Sequence, residues 1–228
     1  MPIAPAPHTA LQREPSGKER RQGLAKRGYH HGNLRAALIE ATLELIAEKG
    51  PQGFTLAEAA KLAGVSAAAP YRHFAGREEL IEAVALQGYA LFADLLAHAW
   101  DGGRPTPLRA LEATGRAYLA FARRHPGHYI AMFESGVAPG ATPELAAEAE
   151  RARAVLLQAA EALSARLPPA RRPPPSMFAA HIWALSHGIV ELFARGRPGA
   201  RAPYAAEDLL EAGVGIYLRG LGLIGPDD

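Results

Sequence analysis

The run from Thr55 to Leu80, TLAEAAKLAGVSAAAPYRHFAGREEL, specifies a tight helical hairpin at almost every position. Thr55 followed three residues later by Glu58 is a capping box, in which each side chain satisfies the other residue's orphan backbone donor and sets where a helix begins. Leu56, Ala59, Ala60 and Ala63 share one helical face and are mostly small, so a second helix can come close to it. Gly64 predicts a left-handed turn that stops this helix, Val65 plugs the corner, and Ser66 is placed to cap the next helix. That second helix is expected from Ala67 to Phe74, with Pro70 in or just beyond its first turn, where a missing N–H costs little. In a hairpin of this kind the second helix enters the DNA major groove with its N-terminal residues nearest the base edges. The competing reading is a hairpin inside an unrelated helical core, with Tyr71 and Phe74 simply buried; Phe74 is core under both.

Apolar residues before the hairpin, Leu34, Leu38, Ala41, Leu45 and Ile46, recur at helical spacing after Asn33 and predict a helix to Lys49. Gly50-Pro51-Gln52-Gly53 stops it. Beyond the hairpin, Gly76 opens a longer helix to about Trp100, with Glu78 and Glu79 favourably placed against its dipole. Gly and Pro clusters then separate helical stretches near Leu108 to His125, His128 to Ser135, Pro143 to Leu167, Ser176 to Arg195 and Ala205 to Leu223. No stretch alternates with the period of a strand. The expected fold is all-α: a three-helix, helix-turn-helix head over residues 29–80 and a larger C-terminal helical domain over residues 81–228.

The segment from Gly28 to Ile81 resembles the DNA-binding part of the tetracycline-repressor (TetR) family of bacterial transcriptional regulators. Gly64, Val65, Ser66, Tyr71, His73, Phe74, Glu79 and Leu80 each stand where that family has them. The resemblance implies that Thr55, Tyr71, His73 and Arg77 grip phosphates while Ala67, Ala68 and Tyr71 face base edges. Two departures stand out. Arg77 replaces the family's usual lysine, and either cation can hold a phosphate. Ala67, Ala68 and Ala69 occupy positions where family members often carry a polar base reader, and alanine methyls can only touch a thymine methyl. Arg72 is the one long donor on this helix with reach to a guanine, and a solvated surface arginine is the alternative.

Charge agrees with a polyanionic partner. The chain carries +2 overall, yet the residues up to Arg35 hold seven cations against two acids, +5, which leaves −3 for the remainder. A basic arm beside a reading head favours DNA through counterion release. Residues 1–28 are expected to form such an arm, disordered where Pro and Ala dominate. With no cysteine, disulfide and thiolate chemistry are excluded. No signal peptide is legible, and the apolar run from Phe178 to Ala194 is broken by His181, His187 and Glu191, so a soluble, cytoplasmic protein without membrane partners is expected.

Two apparent sites are decoys. Gly220 to Gly225 spells a dinucleotide-binding fingerprint, but no strand precedes it and no helix follows. His125 and His128 have metal-ligand spacing with Pro126 and Gly127 between them and no third ligand, so no metal and no cofactor are expected. No nucleophile triad or carboxylate pair points to an enzyme.

The last two helices offer more apolar surface than one core requires, and the resemblance implies that they pair with a second subunit into a four-helix bundle; a homodimer matches a palindromic double-stranded operator. The pattern IWALSHGIVEL resembles the signature of a C-terminal effector-domain subgroup, with Trp183 and His187 on one helical face. Candidate lining for a small-molecule effector is Tyr118, Phe121, Tyr129, Met132, Phe133, Trp183 and His187, with plain core packing as the alternative. Three classes remain: a ligand-responsive regulator, acting by repression as the resemblance implies; a DNA-binding protein without an effector; and an all-α enzyme.

Overall fold

A computed structural model describes residues 33–194 and 203–225. The expectations for the arm over residues 1–28 and for the start of the head therefore lie outside the described residues. The helices from Arg35 onward pack within one compact unit, Arg35–Asp228.

The described residues form helices joined by turns and loops, without a strand. In order they form α1 (Leu34–Lys49), α2 (Leu56–Leu62), a 3-10 turn (Pro70–Arg72), α3 (Arg77–Trp100), α4 (Pro107–Arg124), α5 (Pro126–Phe133), α6 (Pro143–Ser164), α7 (Pro175–Ile189) running into a π turn (Val190–Ala194), and α8 (Ala206–Leu221). The starts of α4 and α6 share one device: Thr106 and Thr142 accept from the backbone N–H three residues on, and a proline fills the first helical position. That position has no intrahelical acceptor to lose, so proline there is preorganised rather than disruptive.

The hairpin turn closes as its spelling predicts. Thr55 Oγ1 accepts from Glu58 N, and Thr55 N donates to Glu58 Oε2 at 2.9 Å, completing the capping box. Gly64 sits at φ +76°, its N–H donates to Lys61 O, and Val65 N donates to Ala60 O at 2.9 Å. These two bonds form a Schellman closure, which satisfies helix-end carbonyls only when the residue after the cap is left-handed.

One expected element is corrected. The helix expected from Ala67 to Phe74 is a turn followed by a single 3-10 turn at Pro70–Arg72. Pro70 has no N–H to donate to Ser66 O, so that carbonyl accepts from Ala69 N at 2.9 Å instead, and the chain tightens. Ser66 therefore contributes its carbonyl to a turn, and no side-chain cap precedes the 3-10 segment.

Helix α3 is the spine of the molecule. Its first turns bury Leu80, Ile81 and Val84, and its later turns bury Tyr89, Phe92, Leu96 and Trp100; in the hairpin Phe54, Leu56 and Phe74 are buried. It packs against α4, α5 and α6, then α6 packs on α7 and α7 on α8. By length and composition both Arg77–Gly103 and Pro175–Ala194 could cross a membrane, but the first is the core of the bundle. The second has only 28% of its most apolar window buried.

Between α1 and α5 the backbones nearly touch. A Cβ on Gly127 would stand 2.6 Å from Leu43 O, closer than any real carbon contact. Gly127→Ala is expected to destabilise the fold by about 1–3 kcal/mol through a forced backbone shift. Gly64→Ala meets no atom within 4 Å and should cost only the left-handed backbone term, roughly 1–2 kcal/mol. Urea unfolding of both variants checks this, and a Gly127→Ala protein as stable as the parent would contradict the close approach.

Candidate nucleic-acid interface and effector cavity

Folding divides the head's candidate residues into two groups. Ser66, Ala67, Ala68, Tyr71, Arg72 and His73 are exposed along the tip of the hairpin, with Tyr71 65% exposed three residues before the buried Phe74. Sequence reasoning did not anticipate what supports that tip. The guanidinium of Arg35 lies 5.3 Å above the Phe74 ring, a cation–π contact between α1 and the end of the reading segment.

Thr55 and Arg77 are hydrogen-bonded to other residues of the chain. The Thr55 hydroxyl donates to Glu58 Oε2 at 3.1 Å, and Glu58 Oε1 accepts from Lys49 Nζ at 2.8 Å. The Lys49 hydrogen bond, reinforced by the Thr55 backbone and hydroxyl, holds the Glu58 carboxyl down to about 2. Arg77 Nη2 donates to Gln52 Oε1 at 2.6 Å and Nη1 to Gln52 O at 3.3 Å, while Nη2 also reaches Glu78 Oε1. These bonds fasten the loop between α1 and α2 to the start of α3. Glu79 Oε2 accepts from Ala75 N at 2.5 Å, so the acids flanking the tip are taken up by helix starts and cation partners.

In the C-terminal part the expected aromatic residues do come together. Phe92, which sequence reasoning passed over, packs 5.0 Å from Tyr118 and 4.9 Å from Phe121 between ring centroids. Phe133 stands 4.8 Å from Tyr129, 5.0 Å from His187 and 6.3 Å from Trp183. Beneath it, His187 Nδ1 lies 3.0 Å from the Tyr118 hydroxyl and 2.9 Å from that of Tyr129. One ring nitrogen thus ties α4, α5 and α7 together. Burial pushes the Tyr118 hydroxyl well above its ordinary value, so it is a neutral hydrogen-bonding group.

The seven candidate pocket residues occupy two layers. Met132, Phe133 and Trp183 line a cavity of about 510 Å³, together with Tyr89, Val137, Pro139, Glu150 and Arg153. Tyr118, Phe121, Tyr129 and His187 are not among its lining residues and form the packed layer behind Phe133. A larger groove of about 700 Å³ runs between α4, α7 and α8, but its walls carry Arg109, Glu112, Arg116, Glu207, Asp208 and Glu211. The smaller cavity has the more aromatic wall and fewer charged groups.

The decoys resolve in physical terms. Gly222, at φ +78°, ends α8 with a second Schellman closure, Gly222 N to Arg219 O and Leu223 N to Leu218 O, which accounts for the middle glycine of the run. His128 lies within α5, whose start at Pro126 is earlier than the sequence suggests.

A helix-turn-helix with an exposed tip, joined by one long helix to a helical domain that holds an apolar cavity, defines a DNA-binding regulator with a ligand-binding C-terminal domain. Residues 38–84 match the family of bacterial regulatory proteins known as the tetR family, and residues 111–217 match the tetracyclin repressor-like C-terminal domain. Between them these matches span more than half of the chain, which belongs to the TetR family of bacterial regulatory proteins. Among solved structures, a protein of unknown function from Rhodococcus sp. RHA1 is 26% identical, with a TM-score of 0.71 over 86% of this chain and 98% of that one. AibR, solved with isovaleryl coenzyme A and operator DNA, is 22% identical, with a TM-score of 0.63 over 80% and 97% of the two chains. FadR from Bacillus halodurans, a fatty acid degradation regulator, is 13% identical, with a TM-score of 0.66 over 86% and 96%. The latter two likenesses are of fold. No curated protein sequence matches the chain.

The interface between α3 and α5 has a titratable weak point. Burial, with a smaller contribution from His125, lowers His128 from its ordinary 6.5 to about 4. Between those values the unfolded chain takes up a proton that the fold excludes, so stability should fall as pH drops from about 6.5 to about 4. His128→Gln is expected to lose less stability between pH 7 and pH 5 than the parent, measured as urea midpoints. The Glu58 contribution, lost only as pH falls from 4.5 towards 2, lies below that comparison.

Proposed function

We propose that this regulator is a homodimeric repressor that sits on a palindromic operator and is released by a small, largely apolar effector. The observation that carries the DNA-reading part is the exposed tip from Ser66 to His73, with Tyr71 projecting while Phe74 anchors the segment below it. On this reading Tyr71 and His73 contact phosphates, Tyr71, Ala67 and Ala68 face base edges, and Ser66 and Arg72 lie beside them. Thr55 and Arg77 act by positioning: one sets the start of α2, the other holds the loop before it. Residues 29–80 form the reading head and residues 81–228 the effector and dimerisation domain. The protein works in the cytoplasm and catalyses no reaction.

Support for the dimer comes from apolar side chains left open on the last two helices and the π turn. Met177 is 52% exposed, Leu192 72% and Ile216 70%. An uncovered apolar face of this kind suits a self-complementary interface. Support for an effector comes from the cavity beside Trp183 and from the isovaleryl coenzyme A bound by AibR.

Coupling follows from the packing. Met132 and Phe133 line the cavity at the end of α5, whose start meets Leu43 of α1 through Gly127. Effector binding displaces α5 and the adjoining α3, and the two heads then no longer match the half-site spacing.

Tyr71→Ala should weaken binding to an operator selected from random DNA by roughly tenfold or more while leaving helicity and sedimentation unchanged. The double change Leu192→Glu and Ile216→Glu should give a monomer in sedimentation and remove operator binding with it. Undiminished affinity in the first variant, or a persisting dimer in the second, would contradict the corresponding assignment.

A further inference from the structure

The cavity beside Trp183 carries information about its ligand, given the effector reading above on which this inference rests. Its walls are apolar and aromatic, chiefly Tyr89, Met132, Phe133 and Trp183. Val137 closes one side from the loop after α5, held in place by a bond from its N–H to Ser135 Oγ at 3.1 Å, and Ser135 in turn donates to Ala131 O at 2.6 Å. Its volume, about 510 Å³, falls in the range of small-molecule sites. A wall of this kind holds an apolar body and does not orient it.

Orientation comes from the two charged lining residues, Glu150 and Arg153, one turn apart on α6. They face each other as a fork: Arg153 Nε donates to Glu150 Oε2 at 2.8 Å and Nη2 to Oε1 at 2.7 Å. A guanidinium has five N–H donors and no acceptor. Two are used by Glu150, so three are left over, both on Nη1 and the second on Nη2. Each Glu150 oxygen accepts once from Arg153 and keeps a second acceptor site. The three spare donors, on a permanent cation that is half exposed on a flexible stem, therefore outnumber the two acceptor sites that Glu150 keeps.

We propose that the cavity binds an amphiphilic carboxylate: an apolar tail lies against Phe133, Trp183 and Tyr89, and the carboxylate accepts from Arg153 in competition with Glu150. Charge-assisted forks of this type are stronger and more directional than neutral hydrogen bonds, so the head group sets specificity while the tail supplies most of the affinity. Each methylene added to the tail raises affinity about fourfold until the cavity is full.

Three probes with one tail and different heads test the assignment on the full-length protein: octanoate, 1-octanol and octylamine, followed by titration calorimetry below their micellar concentrations. The expected order is octanoate first, about tenfold or more ahead of octanol, with octylamine weakest. Arg153→Ala should bring octanoate down to the level of octanol and leave octanol unchanged, Glu150→Gln should tighten octanoate, and Trp183→Ala should weaken octanoate and octanol alike. Equal affinity for the three heads, or octanoate binding indifferent to Arg153→Ala, overturns the carboxylate assignment and leaves the cavity standing as an effector site. Failure of all three probes to bind the folded protein overturns the site itself and this proposal with it.

Discussion

The unbroken hydrogen bonding of α3 from Arg77 to Trp100 is the constraint on which the rest depends. One helix carries Leu80, Ile81 and Val84, buried in its first turns beside the end of the hairpin in sequence, and Tyr89, Phe92 and Leu96, buried further along. A straight helix transmits displacement along its length because its backbone bonds cannot be stretched one at a time without loss. The cavity and the reading tip are thus fastened to the same rod. The contact of Gly127 with Leu43 is a second fastening, and it tolerates no side chain.

The head achieves exposure of its tip by satisfying everything around it. Glu58 is engaged by Lys49 and Thr55, Glu79 by Ala75 N, and Arg77 by Gln52. These bonds are solvent-accessible and individually modest. Collectively they set the start of α2 and the loop before it, so the residues from Ser66 to His73 hang from a defined base. Thr55 and Arg77, expected from the resemblance to grip phosphates, are hydrogen-bonded within the chain to Glu58 and to Gln52 and Glu78.

In the C-terminal domain, polarity is placed deep and aromatic surface is placed around the cavity. His187 Nδ1 is approached by two tyrosine hydroxyls from different helices, although a ring nitrogen offers one lone pair or one proton. Such a shared group draws three helices to one point and gives their packing a specific register. Phe133 separates this layer from the cavity, touching His187 on one side and Trp183 on the other.

Helix boundaries were legible wherever a local device writes them: the Thr55 and Glu58 box, the left-handed Gly64, and the Gly76 start of α3, whereas the Thr-Pro starts of α4 and α6 came to light in the structure. The length of the reading segment was not legible, because Pro70 at the edge of a first turn is compatible with both a helix and a tightened turn, and carbonyl pairing around Ser66 decides between them. Aromatic periodicity announced a cluster containing Tyr118, Tyr129, Phe133, Trp183 and His187, but periodicity reports only which face of a helix is apolar. Which of those residues border empty space and which are packed solid depends on how α3, α5, α6 and α7 approach one another, and the same is true of Arg153 meeting the cavity and Gly127 meeting Leu43. Capping and turn chemistry act over four or five residues and are therefore written in the chain itself, whereas cavities and close backbone approaches arise between segments far apart in sequence and exist only once the helices are packed.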